Sequence, residues 1–312
     1  MITVLHDDTH RPDRLAGPGV RFATDATLAA ALPDTEVLLV WDFTTKAVER
    51  DWAHAGSGLR WVHTASAGVD RMIFPGLVDS DVVLTNSRGV FDLPIAEYVL
   101  GLVIAQAKGL PGTLRLQTGR TWRHRETERV AGRRAVVVGS GPIGRATARL
   151  LRAVGVEVDV VGRRASEGVH AFDELGALLP RAEWFVVAAP LTGSTRGMVD
   201  AELLAALPRG ARVINVGRGA LLVEDDLVAA LRSGHLGGAA LDVFEREPLP
   251  ADSPLWELPG VVVSPHMSGD VVGWRDDLAD LFLANLDRFR AGEELENVVD
   301  KQLGFVTSGG TA

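Results

Sequence analysis

At 312 residues, 46% apolar and 23% charged, the chain has the composition of an ordinary soluble globular protein, long enough for a substantial core and for two domains. Its net charge of −9 argues against non-specific nucleic-acid binding, which needs an excess of Lys and Arg to neutralise phosphates, although a local basic pocket stays compatible with it. With no cysteine, disulfides, thiolate catalysis and Cys-ligated metals are excluded, and a cytoplasmic location is the simpler reading.

The start, MITVLHDDTH, has neither a basic n-region nor an apolar h-region, so no signal peptide is expected. The first third then alternates short apolar runs with helix-like patches. ITVLH, VRFAT, EVLLVW, LRWVHTA and VVLTN read as strands, and TLAAALP between them has Leu/Ala periodicity. That alternation predicts a parallel sheet with helices on its faces. PIAEYVLGLVIAQAKG opens with Pro94 at a first helical position and ends at Gly109, so a long connecting helix is expected. Its apolar stretch is too short to span a bilayer, and no membrane association is expected. The polar segment TLRLQTGRTWRHRETERVAG reads as surface loop; Trp122 within it is either an interface anchor or a plain core residue.

A second alternating region starts at RRAVVVG. IGRATARLLRAVG sets Ile143, Ala146, Leu150, Leu151 and Val154 on one helical face, and Gly155 stops it. VEVDVVG, EWFVVAAP, RVINVG, GAALDVF and VVVSPH follow as strands, with DAELLAALPRG and EDDLVAALRSG as Gly-terminated helices between them. A last helix is expected over 274–291, and the tail TSGGTA is expected to be disordered. Two successive α/β regions predict an α/β protein of two doubly wound parallel-sheet domains, and a cleft between such domains is a common ligand site.

GSGPIG follows an apolar strand and opens an amphipathic helix, which is the context that makes a GxGxxG specific for dinucleotides. Gly139 permits the tight turn, Gly141 lets backbone N–H groups approach a pyrophosphate, and Gly144 allows close helix–strand packing. Pro142 and Ile143 begin the helix whose N-terminus faces the anion. About 20 residues on, where an Asp or Glu usually holds the ribose hydroxyls, stand Gly162, Arg163 and Arg164. Gly162 removes the repulsion of a 2′-phosphate and leaves room for it, and the arginines can bind it by charge-assisted forks. Surface arginines are more often solvated loop charges, but their coincidence with the missing carboxylate favours NADP(H) over NAD(H).

Three later strand ends carry ionisable groups: INVGRGALLVEDDL has Arg218, LDVFEREPLP has Glu247 and VVVSPHMSG has His266. Ligands of open α/β sheets bind at strand C-termini, so the three are expected to converge on the nicotinamide. With these motifs the chain resembles the D-isomer-specific 2-hydroxyacid dehydrogenase family over nearly its whole length. The likeness extends to HTASAGVD at 63–70, TNSRGVFDLPIAEYVLGL at 85–102, AAPLTGSTRGMVD at 188–200 and LENVVD near the end.

The resemblance implies a Rossmann cofactor domain, 99–274, inserted in a flavodoxin-like substrate domain made of 1–98 and 275–312, with hinges near 94–110 and 266–280. It implies that Arg218 binds the substrate carboxylate and polarises the carbonyl, as its fixed charge and planar fork suit it to do. His266 would be the general acid in reduction and the base in oxidation, with Glu247 orienting it and favouring its protonated form. Backbone N–H groups of Ala67, Gly68 and Val69 would receive the substrate carboxylate. Asp242 would hold the nicotinamide carboxamide, and Pro190, Thr192 and Val216 would line the cofactor. No metal is implied, and the eight histidines have no zinc-like spacing. A homodimer through the Rossmann domain, using the 94–122 segment, is also implied.

The sequence departs from the family pattern after the PH motif, where Asp270 and Trp274 stand in SGDVVGW; a carboxylate there would disfavour acidic substituents on the substrate. Members with formate dehydrogenase activity have Gln where Glu247 stands. The expectation is therefore an NADP(H)-preferring reductase of a small 2-oxoacid, of glyoxylate or hydroxypyruvate reductase type. The alternative is a nucleotide-gated binding or corepressor-like protein on the same fold with little turnover.

Overall fold

The computed structural model describes residues 1–307, so all of TSGGTA but Thr307 lies outside the described residues. The chain divides into two compact units: Met1–Phe91 with the chain from Val272 onward, and Asp92–Val271. The crossings thus fall earlier than the 99 and 275 expected from sequence.

In the first unit β1 (Ile2–Leu5), β2 (Val20–Ala23), β3 (Val37–Val40), β4 (Trp61–Thr64) and β5 (Val83–Asn86) form a parallel sheet in the order β2-β1-β3-β4-β5. This is the flavodoxin-like order. All residues of β1, β3 and β4 are buried, as a parallel sheet covered on both faces requires. Side chains alternate between the faces. Leu38, Val40, Val62 and Leu84 pack with Leu28, Leu32, Val48 and Leu77 from the short helical segments on one side. On the other, Trp61 stacks on Phe282 of the helix Trp274–Ala291, with ring centres 5.3 Å apart. The returning chain is fastened to β5 by Val299 N–H donating to Leu84 O at 2.8 Å. Lys301 Nζ donates to the carbonyls of Leu77, Ser80 and Val82.

In the second unit β6 (Arg134–Val138), β7 (Glu157–Gly162), β8 (His170–Ala171), β9 (Trp184–Val187), β10 (Arg212–Asn215), β11 (Gly238–Leu241) and β12 (Val261–Val263) form a parallel sheet, β12-β11-β10-β9-β6-β7-β8. The strand order reverses at β6, whose neighbours are β7 and β9, which makes its C-terminal end the switch point where a Rossmann sheet receives a dinucleotide. The two-residue β8 is too short to leave a pattern in the sequence.

Three sequence expectations need correction. The long helix is Asp92–Ala107, so Pro94 is its third residue and not its first; Pro is tolerated there because first-turn N–H groups have no intrahelical partner. The helix lies wholly in the second unit, where it packs on the helix Pro142–Ala153 and Gln106 Nε2 donates to Ala239 O at 2.9 Å. The polar segment read as loop begins with a helix, Leu110–Thr118, that buries none of its residues. Of the five residues read as one apolar face of the helix Pro142–Ala153, only Ala146 and Leu151 are buried; the small Thr147 and Ala148 are buried beside them, as close helix–helix packing favours. Trp122 beyond the exposed helix is 100% exposed, which excludes the core reading. No single described helix is long and apolar enough to cross a membrane.

Candidate active site

The glycine loop joins β6 to the helix Pro142–Ala153 at the switch point. Gly139 has φ +123, and a Cβ there would lie 2.4 Å from Ala188 O. A Cβ on Gly144 would lie 1.8 Å from Gly139 O, so helix and loop meet backbone to backbone. A Cβ on Gly141 would meet nothing within 4 Å, leaving open space over the helix end. Gly141 is the N-cap, no side chain caps the helix, and Pro142 has no N–H to cap. The following N–H groups, Ile143 among them, and the positive end of the helix dipole therefore suit a pyrophosphate. Arg145 Nε donates to Ser140 O at 2.8 Å and braces the loop.

At the end of β7 the geometry changes the reading of Gly162. The room beside it is already filled: a Cβ there would lie 2.4 Å from Ser140 Oγ and 2.9 Å from Ser140 Cβ. Arg163 and Arg164 follow, exposed, directly after the strand. After β9, Pro190 O accepts from Thr195 Oγ1 at 2.8 Å, and Thr192 N donates to the same hydroxyl. After β10, Val216 is buried and its N–H donates to Val187 O.

Arg218, Glu247 and His266 come together at the C-terminal ends of β10, β11 and β12. His266 Nδ1 and Glu247 Oε2 are 2.9 Å apart, and Glu247 Oε1 accepts from Phe244 N at 3.0 Å. Burial pushes the Glu247 carboxyl up, but the bonds from His266 and Phe244 and the charge of Arg218 bring it below its ordinary value. It therefore stays ionised beside the imidazole. Arg218 is half-buried, with its Nη1 donating to Gly217 O at 2.9 Å. A Cβ on Gly219 would lie 1.8 Å from the Phe244 carbonyl carbon, so the loop carrying Arg218 abuts the one leading to Glu247. Glu224, at the head of the next helix, accepts from Glu245 N at 2.7 Å and ties that helix to the same loop.

His266 is held at φ +50, a conformation that costs a non-glycine residue about 1–3 kcal/mol unless its surroundings impose it. Asp242, 1% exposed at the end of β11, imposes it. Its carbonyl accepts from His266 N at 2.8 Å. Its carboxylate accepts from Ser264 Oγ at 2.7 Å, Met267 N at 3.0 Å and Ser268 N at 2.9 Å. Sequence reasoning named Asp242 only for the cofactor and missed Ser264. The signal was SPH itself, a short hydroxyl side chain two residues before the histidine.

Ala67, Gly68 and Val69 lie in the first unit, just beyond β4. The carbonyls of all three are taken up locally, by Asn86 Nδ2 at 2.6 Å, Ser66 Oγ at 2.6 Å and Met72 N at 2.7 Å. Asp270 is exposed in the second unit, whereas Trp274 belongs to the first and packs on Phe43 and Phe91. Among the described residues no group of three or more His, Asp or Glu side chains is placed to hold a metal ion.

The family model described as D-isomer specific 2-hydroxyacid dehydrogenase, NAD binding domain, matches residues 100–268. The chain belongs to the D-isomer specific 2-hydroxyacid dehydrogenase family. Within that family it is 32% identical, over 82% of its length and 83% of the relative's, to glyoxylate/hydroxypyruvate reductase B of Pectobacterium carotovorum subsp. carotovorum. Among solved structures of the family, it is similar to a dehydrogenase from Xanthobacter autotrophicus Py2 in complex with NADPH and MES, at 33% identity and a TM-score of 0.82 over 97% of this chain and 99% of that one. It is likewise similar to the NADPH-dependent glyoxylate/hydroxypyruvate reductase of Sinorhizobium meliloti in complex with NADP and sulfate, at 31% identity, a TM-score of 0.83 and the same coverage. The 2-hydroxyacid dehydrogenase fold, two parallel-sheet α/β units, is thus the fold of this chain.

Asp242→Ala should strip the acceptor from Ser264, Met267 and Ser268 and cost at least about 2 kcal/mol, since each unsatisfied buried donor costs about 1–3 kcal/mol. Urea denaturation reads the loss, and amide exchange at Met267 and Ser268 should accelerate more than in β6. Unchanged exchange at those two amides would show that Asp242 does not hold the loop.

Proposed function

We propose that this chain is an NADP(H)-linked reductase that converts a small 2-oxoacid to the D-2-hydroxyacid. The observation that carries the reading is the His266–Glu247 pair, 2.9 Å apart, sharing a sheet end with Arg218 and the glycine loop. A nicotinamide bound by the loop would supply the hydride. The glycine loop and the uncapped N-terminus of the helix Pro142–Ala153 would hold its pyrophosphate. Pro190, Thr192 and the Val216 backbone would line it, and Asp242 retains acceptor capacity for the carboxamide, since a carboxylate offers about four lone-pair sites. Arg218 would bind the substrate carboxylate and polarise its carbonyl. His266 would give its proton to the carbonyl oxygen as hydride reaches carbon, and Glu247 would keep the ring charged and aimed.

For the cofactor, the reading is supported by Arg163 and Arg164 at a strand end without a carboxylate, and by the NADP(H) bound to the relatives from Xanthobacter and Sinorhizobium. NADPH oxidation followed by absorbance over a panel of 2-oxoacids, glyoxylate and hydroxypyruvate included, should show kcat/KM higher with NADPH than with NADH. Arg163→Ala/Arg164→Ala should cost roughly 1.5–3 kcal/mol per charged bond lost against NADPH and little against NADH. An unmodified enzyme with about tenfold preference for NADH overturns the cofactor reading, and no turnover across the panel overturns the enzyme reading. Nothing observed favours the corepressor-like alternative.

For the acid–base pair, reduction needs the imidazolium and oxidation the neutral ring. Because Glu247 is held below the ordinary carboxylate range, it carries its charge beside the ring at neutral pH. The kcat/KM for reduction should hold on the acid side and fall as pH rises, with oxidation showing the reverse limb. Glu247→Gln should lower kcat/KM for reduction while turnover persists, because an amide can orient the ring but not favour the charge it carries into the reaction. His266→Ala should lose about 10²–10⁴-fold in kcat with NADPH binding intact; near-normal kcat would sink the assignment.

A homodimer is part of the same reading. Its support is a run of exposed apolar side chains in the second unit: Leu110 at 46%, Leu114 at 62% and Trp122 at 100% exposure. Burying these side chains against a second copy would take them out of water. Sedimentation equilibrium should give the mass of two chains and Trp122→Asp should lower it; a single-chain mass for the unmodified protein would refute the dimer.

A further inference from the structure

Gly162 is not a glycine for the sake of its backbone. It ends β7 in ordinary extended geometry, outside the left-handed positions of this chain. It is a glycine because of what stands next to it. A Cβ would meet Ser140 Oγ at 2.4 Å, Ser140 Cβ at 2.9 Å and Val169 Cγ1 at 3.0 Å. Turning the hydroxyl away relieves the first contact, and a few tenths of an ångström at Val169 relieve the third. The second contact remains unless the glycine loop itself moves. That loop is fixed: Gly139 N donates to Val161 O at 2.8 Å, Arg145 Nε holds Ser140 O at 2.8 Å, and Gly139 lies against the Ala188 carbonyl.

The two positions are therefore one device. With Ser140 in the loop, no side chain fits at 162, so the carboxylate that would select the ribose hydroxyls of NAD(H) is sterically shut out. The same serine is only half-buried, and its hydroxyl lies beside Gly162 at the strand end from which Arg163 and Arg164 project. Resting on the NADP(H) reading above, we propose that Ser140 is a specificity-determining residue: it excludes a carboxylate from position 162 and donates its own hydroxyl to the 2′-phosphate of NADP(H).

The steric half is tested without cofactor. Thermal melting of the apo-protein should show a clear loss for Gly162→Ala, most of it recovered in Ser140→Gly/Gly162→Ala; equal losses in the two backgrounds would overturn the coupling. The ligand half is read from Kd and kcat/KM for NADPH and NADH. Ser140→Ala should weaken NADPH by roughly tenfold, the scale of one hydrogen bond to a charged group, and leave NADH unchanged; equal effects on both cofactors would remove the phosphate contact. Gly162→Asp alone should lose NADPH, or fail to fold, without gaining NADH, whereas Ser140→Gly/Gly162→Asp should prefer NADH. A single Gly162→Asp that binds NADH as tightly as the double variant overturns the proposal. A wild-type preference for NADH instead defeats the cofactor reading and the specificity role with it, and the melting comparison then decides the steric coupling on its own.

Discussion

A carboxylate taken out of water must be met by hydrogen-bond donors, and the donors that meet Asp242 belong to the segment carrying His266. That requirement shapes the strand-end face of the second unit that carries His266. Ser264, Met267 and Ser268 close round one carboxylate, and the chain between them has no freedom left at His266, which takes a positive φ that its side chain alone would resist. The strain is thereby converted into a fixed direction for the imidazole. Glu247 then needs only to meet a ring whose position is already set, which it does at 2.9 Å while its second oxygen is held by Phe244 N.

The parallel sheet supplies the rest of the convergence. Because β6, β9, β10, β11 and β12 all run the same way, every loop that follows a strand emerges at one end. Residues far apart in sequence, Gly139, Pro190, Arg218, Asp242 and His266, thus share that end for a topological reason. The loops are also interlocked through glycines that admit backbone contact, Gly144 against Gly139 and Gly219 against Phe244. A methyl group at either place would push a ligand-bearing loop off its neighbour.

Most strands of both sheets were legible because the central ones, such as β1, β3, β4, β9 and β11, are buried on two faces and read as continuous apolar runs bounded by turns. The glycine loop and the Arg218, Glu247 and His266 positions were legible because each is a local motif at a strand end. What the sequence concealed is of two kinds. The helix Leu110–Thr118 buries nothing, so no core-facing run marks it within a polar stretch, and Pro111, its second residue, is the local sign of its start. The contacts of Ser140 with Gly162, and of Asp242 with Ser264, join residues about 20 positions apart; they arise from strand register and loop closure, which single-residue chemistry does not encode. Gly162 was hence assigned the right consequence, no carboxylate, for an incomplete reason.

The acidic residues behind the His266–Glu247 pair show how one loop cluster separates two carboxylates. Burial, together with the charges of Glu245, Asp225 and Glu247, holds Glu224 above its ordinary value despite its bond from Glu245 N. Glu247, which burial alone would also raise, is carried below its ordinary value by His266, Phe244 N and Arg218. As pH falls, the proton therefore goes to Glu224 before Glu247. Protonating Glu224 removes a like charge from the neighbourhood of Glu247 and leaves an oxygen that can still accept from Glu245 N. The carboxylate that touches the imidazole keeps its charge because His266, Phe244 N and Arg218 favour it, while Glu224, even when protonated, can still accept from Glu245 N and tie its helix to the loop.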